Sequence, residues 1–213
     1  MGNGNRVAVF IDGLNVRHRL RERGWCECYD VGHLAGQLAG PRQLVGVYFY
    51  HPQPNQEHLG PTRYAAERGY LERLIRDPSV TAPPGAYMAK RFSPAGGVVW
   101  IEKQTDVLLG TDLVYMAAME LIDRAVVATA DADLVPAIRR CIDLDVPVEV
   151  LRFRGTTPRL WELESVATVL RRARPTYFRP YDAETTPSNQ STTQSPPPPT
   201  PPAPATRARR GRP

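Results

Sequence analysis

The sequence predicts an α/β fold in three layers, a mainly parallel central sheet with helices on both faces. Two observations lead there. Short β-branched and aromatic runs have the length and composition of strands: VAVFID (residues 7–12), QLVGVYFY (43–50), AVVATA (125–130) and VPVEVL (146–151). Segments of helical periodicity separate them, and strands that alternate with helices pair in parallel and are covered on both faces.

Taken in order, VAVFID ends in a carboxylate and is followed by the turn GLN and the helical VRHRLRER, which is half of a βαβ unit. Asp30 is placed to cap a short helix through Leu38. After the second strand, Pro61 opens a helix through Arg76 with an apolar stripe of Tyr64, Leu71, Leu74 and Ile75. Residues 86–103 hold two extended runs around Ser93-Pro94-Ala95-Gly96-Gly97, a hairpin or an irregular excursion. A long helix is expected over 106–122. A second, DLVPAIRRCIDL, follows AVVATA with Asp133 as its cap, and a last one spans 157–172 across the sheet. Order is expected to be lost over 175–182. The domain thus occupies 1–175, and a tail over 181–213, rich in Pro, Thr and Ser and ending RARRGR, has nothing apolar to bury.

A net charge of +5 favours polyanionic partners over acidic ones, although Arg207, Arg209, Arg210 and Arg212 put much of it in the last seven residues. Three cysteines are an odd set in a chain with no charged-then-apolar leader. A reducing, cytoplasmic setting follows, and a secreted disulfide framework does not. No apolar run approaches the roughly 18 residues a membrane span needs, since even 107–122 contains Asp112 and Glu120.

The chemistry-bearing residues are carboxylates. In an open parallel sheet, ligands bind beyond the carboxyl ends of the strands. Asp12 ends the first strand, Asp131 and Asp133 follow AVVATA directly, and Asp106 opens a helix after VVWIEK. Singly, each has an ordinary explanation as a turn former or helix cap. Together they carry an energetic demand. Two carboxylates about 4 Å apart repel by about 4 kcal/mol at an effective dielectric near 20. Three such pairs rival the whole stability of a domain, about 5 to 15 kcal/mol. Convergence therefore requires proton uptake or a bound cation, and a hard divalent ion, Mg²⁺ or Mn²⁺, is the natural partner of oxygen ligands.

The motifs FIDGLN (10–15), EKQTDVLLGTDL (102–113) and ATADADLVPAI (128–138), in this order, resemble the NYN domain family of PIN-like nucleases, with similarity over most of residues 5 to 172. The combination is specific where any one piece is not. The resemblance implies a divalent-metal-dependent ribonuclease acting on RNA, with catalytic and metal-binding carboxylates at Asp12, Asp106, Asp131 and Asp133. Asn15 and Lys103 match polar positions assigned to substrate or water positioning. Asp112 also matches an acidic position, but six residues beyond Asp106 it lies about 120° away around an ideal helix. The chain departs from the family's third motif, which resembles SGDSDF, at Ala130, Ala132 and Leu134. It also places Gln104-Thr105 where a small residue is usual.

Two other classes fit parts of the pattern. A non-catalytic RNA-binding or scaffold protein would keep the fold and tolerate the altered third motif. A phosphatase of the haloacid dehalogenase type would use Asp131 and Asp133 as nucleophile and general acid, but that motif belongs near an N-terminus and needs a later Lys and acidic pair. Cys26, Cys28 and His33 offer a poor zinc set, because Cys-x-Cys is tighter than usual spacing and no fourth ligand is evident. Trp25 and Tyr29 beside them read as packing residues.

Overall fold

The computed structural model describes residues 5–94, 96–153 and 160–181. In chain order its elements begin with β1 (Arg6–Asp12), α1 (Gly13–Arg21), α2 (Val31–Ala39), β2 (Gln43–Tyr50), α3 (Gln56–Leu59) and α4 (Pro61–Arg76). There follow β3 (Tyr87–Phe92), β4 (Val98–Lys103), α5 (Thr105–Ala118), β5 (Arg124–Ala128), α6 (Val135–Asp143), β6 (Val148–Arg152), α7 (Leu160–Val166) and β7 (Val169–Arg172). The central sheet is wholly parallel, in the order β2-β1-β5-β6-β7.

β1 lies inside this sheet and is buried on both faces. Its alternate side chains feed two cores. Val7, Val9 and Ile11 pack with Val16 and Leu20 of α1, Leu34 and Leu38 of α2, and Tyr70 and Leu74 of α4. Ala8 and Phe10 pack on the other face with Leu109 and Leu113 of α5, Ile138 and Cys141 of α6, and Leu163 of α7. This is the three-layer arrangement, each large side chain contributing about 1.5 to 3 kcal/mol when fully buried. The hairpin β3-β4 stands apart from the sheet.

Four details differ from expectation. The stripe of α4 runs through Tyr70, Leu71 and Leu74, while Ile75 is 61% exposed, because the helix is covered only where it meets the first core. α5 stops at Ala118, and Glu120 takes a left-handed conformation (φ 53°) that turns the chain toward β5. In place of one helix over 157–172 there are α7 and a fifth parallel strand, β7, with residues 157–159 outside the described set. The β-branched Thr168 and Val169 favour extended backbone. The open edge of β6 also offers ladder partners, including Val148 O, which accepts from Thr168 N at 2.8 Å.

Residues 175–181 form the last difference, for they pack against the body. Phe178 is buried edge-on to Tyr29 (ring centroids 5.3 Å apart) and beside Trp25 and Phe153. Asp30 N donates to Arg179 O, and Tyr181 N to Cys28 O, both at 3.0 Å. The Pro-rich tail from residue 182 onward lies outside the described residues.

Candidate active site

The chain leaves β1 for β2 on one side and returns, through the hairpin and α5, to β5 on the other. The boundary between β1 and β5 is therefore the switch point of the sheet, the place where an open α/β fold leaves a crevice. Ile11 pairs with Ala128 in register, so the residues that follow each strand emerge side by side.

Hydrogen bonds lock those two strand ends together. Asp12 caps α1, accepting at Oδ1 from Asn15 N at 3.0 Å, and its Oδ2 accepts from the Thr129 hydroxyl, 117 positions away, at 2.9 Å. Thr129 Oγ1 in turn accepts from Asp131 N at 3.0 Å. Asn15 Oδ1 accepts from Ala130 N at 3.0 Å. Asp131 Oδ1 accepts from Asp133 N at 2.9 Å and so caps the single 3-10 turn Ala132–Leu134 that leads into α6. The cap of this helical segment is thus Asp131 rather than Asp133, since it is Asp131 that keeps the extended backbone of a cap residue.

Asp12, Asn15, Glu102, Asp106 and Asp131 line one cleft of about 650 Å³. Asp133 is exposed and lines an adjoining shallow groove between α5 and α6, together with Asp106. Lys103 is not among the residues lining the cleft, whereas Glu102, facing Met88 across the hairpin, is. Asp112 lies away from it and accepts a hydrogen bond from the Tyr50 hydroxyl at 2.9 Å, in keeping with its displacement around α5.

The electrostatics register the crowding. Asp12 is 2% exposed, and burial raises its pKa to about 8. The N–H of Asn15 and the hydroxyl of Thr129 oppose that rise, while Glu102 and Asp106 add to it. Burial also raises Asp106 to about 6, helped by the charges of Asp131, Glu102 and Asp133. All four sequence-identified carboxylates therefore belong to one electrostatic neighbourhood, which Glu102 joins from the hairpin.

The donor set fits a hard cation in chemistry: every candidate ligand is a carboxylate oxygen, and Asp12 and Asp106 are raised by burial first and by neighbouring carboxylates after it. Among the described residues no three His, Cys, Asp or Glu side chains stand close enough to hold one ion together. The arrangement suits an ion held by one or two carboxylates and completed by water and a phosphate oxygen, as Mg²⁺ commonly is.

The other wall of the cleft is basic, with Arg17, His18, Arg21, His51, His58 and Arg63. Arg17 is nearly buried there. Both of its terminal nitrogens bond Glu67, the second at 2.8 Å, and its guanidinium lies 5.2 Å from the centroid of the Tyr70 ring. His51 Nε2 stands 3.1 Å from Glu67 Oε1, and Nδ1 2.8 Å from Pro52 O.

Several of these residues escape a reading of the sequence. Glu102 sits in a strand whose facing depends on how the hairpin folds back, which no local pattern reveals. Thr129 had a signal, a hydroxyl two residues before Asp131, where the SGDSDF pattern also begins with one. The Arg17–Glu67 pair joins α1 to α4 and has no sequence signature.

The fold and the cleft together define an α/β protein with carboxylates gathered at the switch point of an open parallel sheet. The family model of the NYN domain matches residues 6–179, and the chain belongs to that family. Among solved structures it is similar to a protein of unknown function from Vibrio parahaemolyticus, at 18% identity and a TM-score of 0.55 over 84% of this chain and 98% of that one. The likeness shows the fold. A weaker similarity, 14% identity and a TM-score of 0.35 over 88% of this chain and 47% of that one, is to MurG of Acinetobacter baumannii. No curated protein matches.

Proposed function

We propose that this protein is a divalent-metal-dependent ribonuclease that hydrolyses phosphodiester bonds of RNA. The observation that carries the reading is one cleft with Asp12, Asp106 and Asp131 at one end and a wall of arginines and histidines beside them. A bound Mg²⁺ or Mn²⁺ would neutralise those carboxylates, activate water and polarise the scissile phosphate. One or two of Asp12, Asp106, Asp131 and Asp133 would hold it directly, with water and a phosphate oxygen completing its ligand shell.

The chain's own residues do the rest. Asp12, pinned by Asn15 N and Thr129, supplies a carboxylate that cannot swing away. The side-chain oxygen of Asn15 is committed to Ala130 N, so any contact Asn15 makes with substrate runs through its amide nitrogen. Arg17 is committed to Glu67 and Arg21 to Glu27, so on the basic wall Arg63 is the arginine placed to meet a phosphate flanking the scissile one. Lys103, on the strand that brings in Glu102, is the weaker candidate for a phosphate contact. Among the described residues no helix is long and apolar enough to cross a membrane. The cytoplasmic setting rests on the sequence's odd set of three cysteines.

Asp12→Asn and Asp131→Asn are each expected to abolish Mn²⁺-dependent cleavage of single-stranded RNA while the circular dichroism spectrum is unchanged. Undiminished cleavage by both variants would end the proposal. A scaffold that merely keeps the fold is separated by calorimetry, because it has no need to bind Mn²⁺ at these residues. Trapping of an aspartyl-phosphate would instead revive the phosphatase reading.

A further inference from the structure

The hairpin β3-β4 brings Glu102 to the carboxylates, but most of it is not used by that role. Its antiparallel register pairs Met88 with Glu102, Lys90 with Trp100, and Phe92 with Val98, and directly opposed residues share a face of the ladder. One face therefore runs outward from the cleft in steps of about 7 Å for every two residues. Met88 and Glu102 line the cleft, Lys90 and Trp100 come next, and Phe92 with Val98 close the row.

Beyond Met88 and Glu102, the outer steps carry the chemistry of a polynucleotide contact. The Trp100 ring lies 5.3 Å from that of His58, itself a residue of the cleft, and so joins the hairpin face to the basic wall. Phe92 is 76% exposed, with its ring face open to a stacking partner. The Lys90 ammonium lies 5.9 Å from the centroid of the Phe92 ring while pairing with Glu57, and Arg91 beside it is exposed. Alternating cations and aromatic faces bind unpaired strands, the cations holding phosphates and the rings stacking on bases. A duplex offers no free base faces along its length.

We propose that the face of Lys90, Trp100 and Phe92 is a stacking track for an unpaired segment of nucleic acid, which it leads into the carboxylate cleft. The inference rests on the nucleic-acid reading of that cleft and names the form of substrate it takes. Continuity with the cleft and the charges of Lys90 and Arg63 favour a polyanion over an apolar protein surface on this face.

The test is fluorescence anisotropy of a labelled oligouridine with the full chain in the absence of divalent ions. Phe92→Ala is expected to weaken binding about tenfold, within the range for loss of one base stack. Phe92→Tyr should restore it, Phe92→Leu should not, and affinity for a fully paired RNA duplex should be the same for wild type and Phe92→Ala. Lys90→Gln should lower the salt dependence of oligouridine binding. Phe92 is too exposed for these changes to unfold the protein. Equal oligouridine affinities for wild type and Phe92→Ala, or no binding by wild type, would overturn the proposal. A Phe92→Ala variant that changes only self-association in sedimentation would assign the face to protein contact and overturn it equally.

The two readings fail separately. Phe92-dependent binding without Mn²⁺-dependent cleavage sinks the ribonuclease alone. Cleavage lost in Asp12→Asn, with binding indifferent to Phe92, sinks the track alone.

Discussion

Asn15 accepts a hydrogen bond at 3.0 Å from the backbone N–H of Ala130, a residue 115 positions further along the chain. The bond ties the first turn of α1 to the segment after β5, and with it sets Asp12 against Asp131. Asn15→Ala leaves the Ala130 N–H without that acceptor, a loss of about 1 to 3 kcal/mol where the group is shielded from water. Cleavage is expected to fall more than stability does, because a displacement of about 1 Å at a reacting group can cost about a hundredfold in rate. Thermal melts and single-turnover cleavage, measured on one preparation, check the ratio. A variant that melts early yet cleaves at full rate would contradict it.

Thr129 is the pivot between the two aspartates, donating to Asp12 and accepting from Asp131 N. Thr129→Val keeps the shape and removes both bonds, whereas Thr129→Ser keeps both. Mn²⁺ affinity by calorimetry should drop in the valine variant and recover in the serine variant. Full affinity in the valine variant with a loss in the serine variant would show that the methyl group, not the hydroxyl, matters.

Gln104 joins β4 to α5 with a φ of 76°, in the left-handed region where a side chain is strained and glycine is not. Gln104→Gly should raise stability by about 1 kcal/mol, since relief of strain outweighs the extra freedom glycine has when unfolded. Urea denaturation measures this directly. A left-handed φ at this turn is the reason a small residue suits it.

Glu67 gives the fold a defined acid sensitivity. Burial alone would raise its pKa, but the hydrogen bonds and charges of His51 and Arg17 outweigh burial and hold it at about 2, below the ordinary value of 4.5. A folded-state value below the unfolded one means that the contribution is fully present above about pH 4.5 and is lost as pH falls toward 2. Its size is on the order of 3 kcal/mol. Glu67→Gln should flatten that part of the stability curve in denaturant titrations from pH 5 to about pH 2.

Most of the fold was legible because its strands carry their own signature. β1, β2, β5 and β6 are apolar runs of strand length, and Asp12 and Asp131 fall where such strands end. β7 was not legible, because VATVL is apolar enough for either a helix or an edge strand, and the choice is made by the open side of β6. The placement of Asp106 beside Asp131 follows from α5 crossing to the second face, which the alternation of strands and helices implies. Glu102 depends instead on the lean of a hairpin that has no ladder to the main sheet, a tertiary outcome invisible to periodicity.

Phe178 makes the last stretch of the described chain a plug, seated in a ring of Tyr29, Trp25 and Phe153. Trimming the protein to drop its proline-rich extension is safe only beyond Tyr181. A stop codon at position 175 would pull that plug and leave a greasy hole beneath the first helical layer. The shortened product would be expected in inclusion bodies, although every residue of the cleft is still encoded.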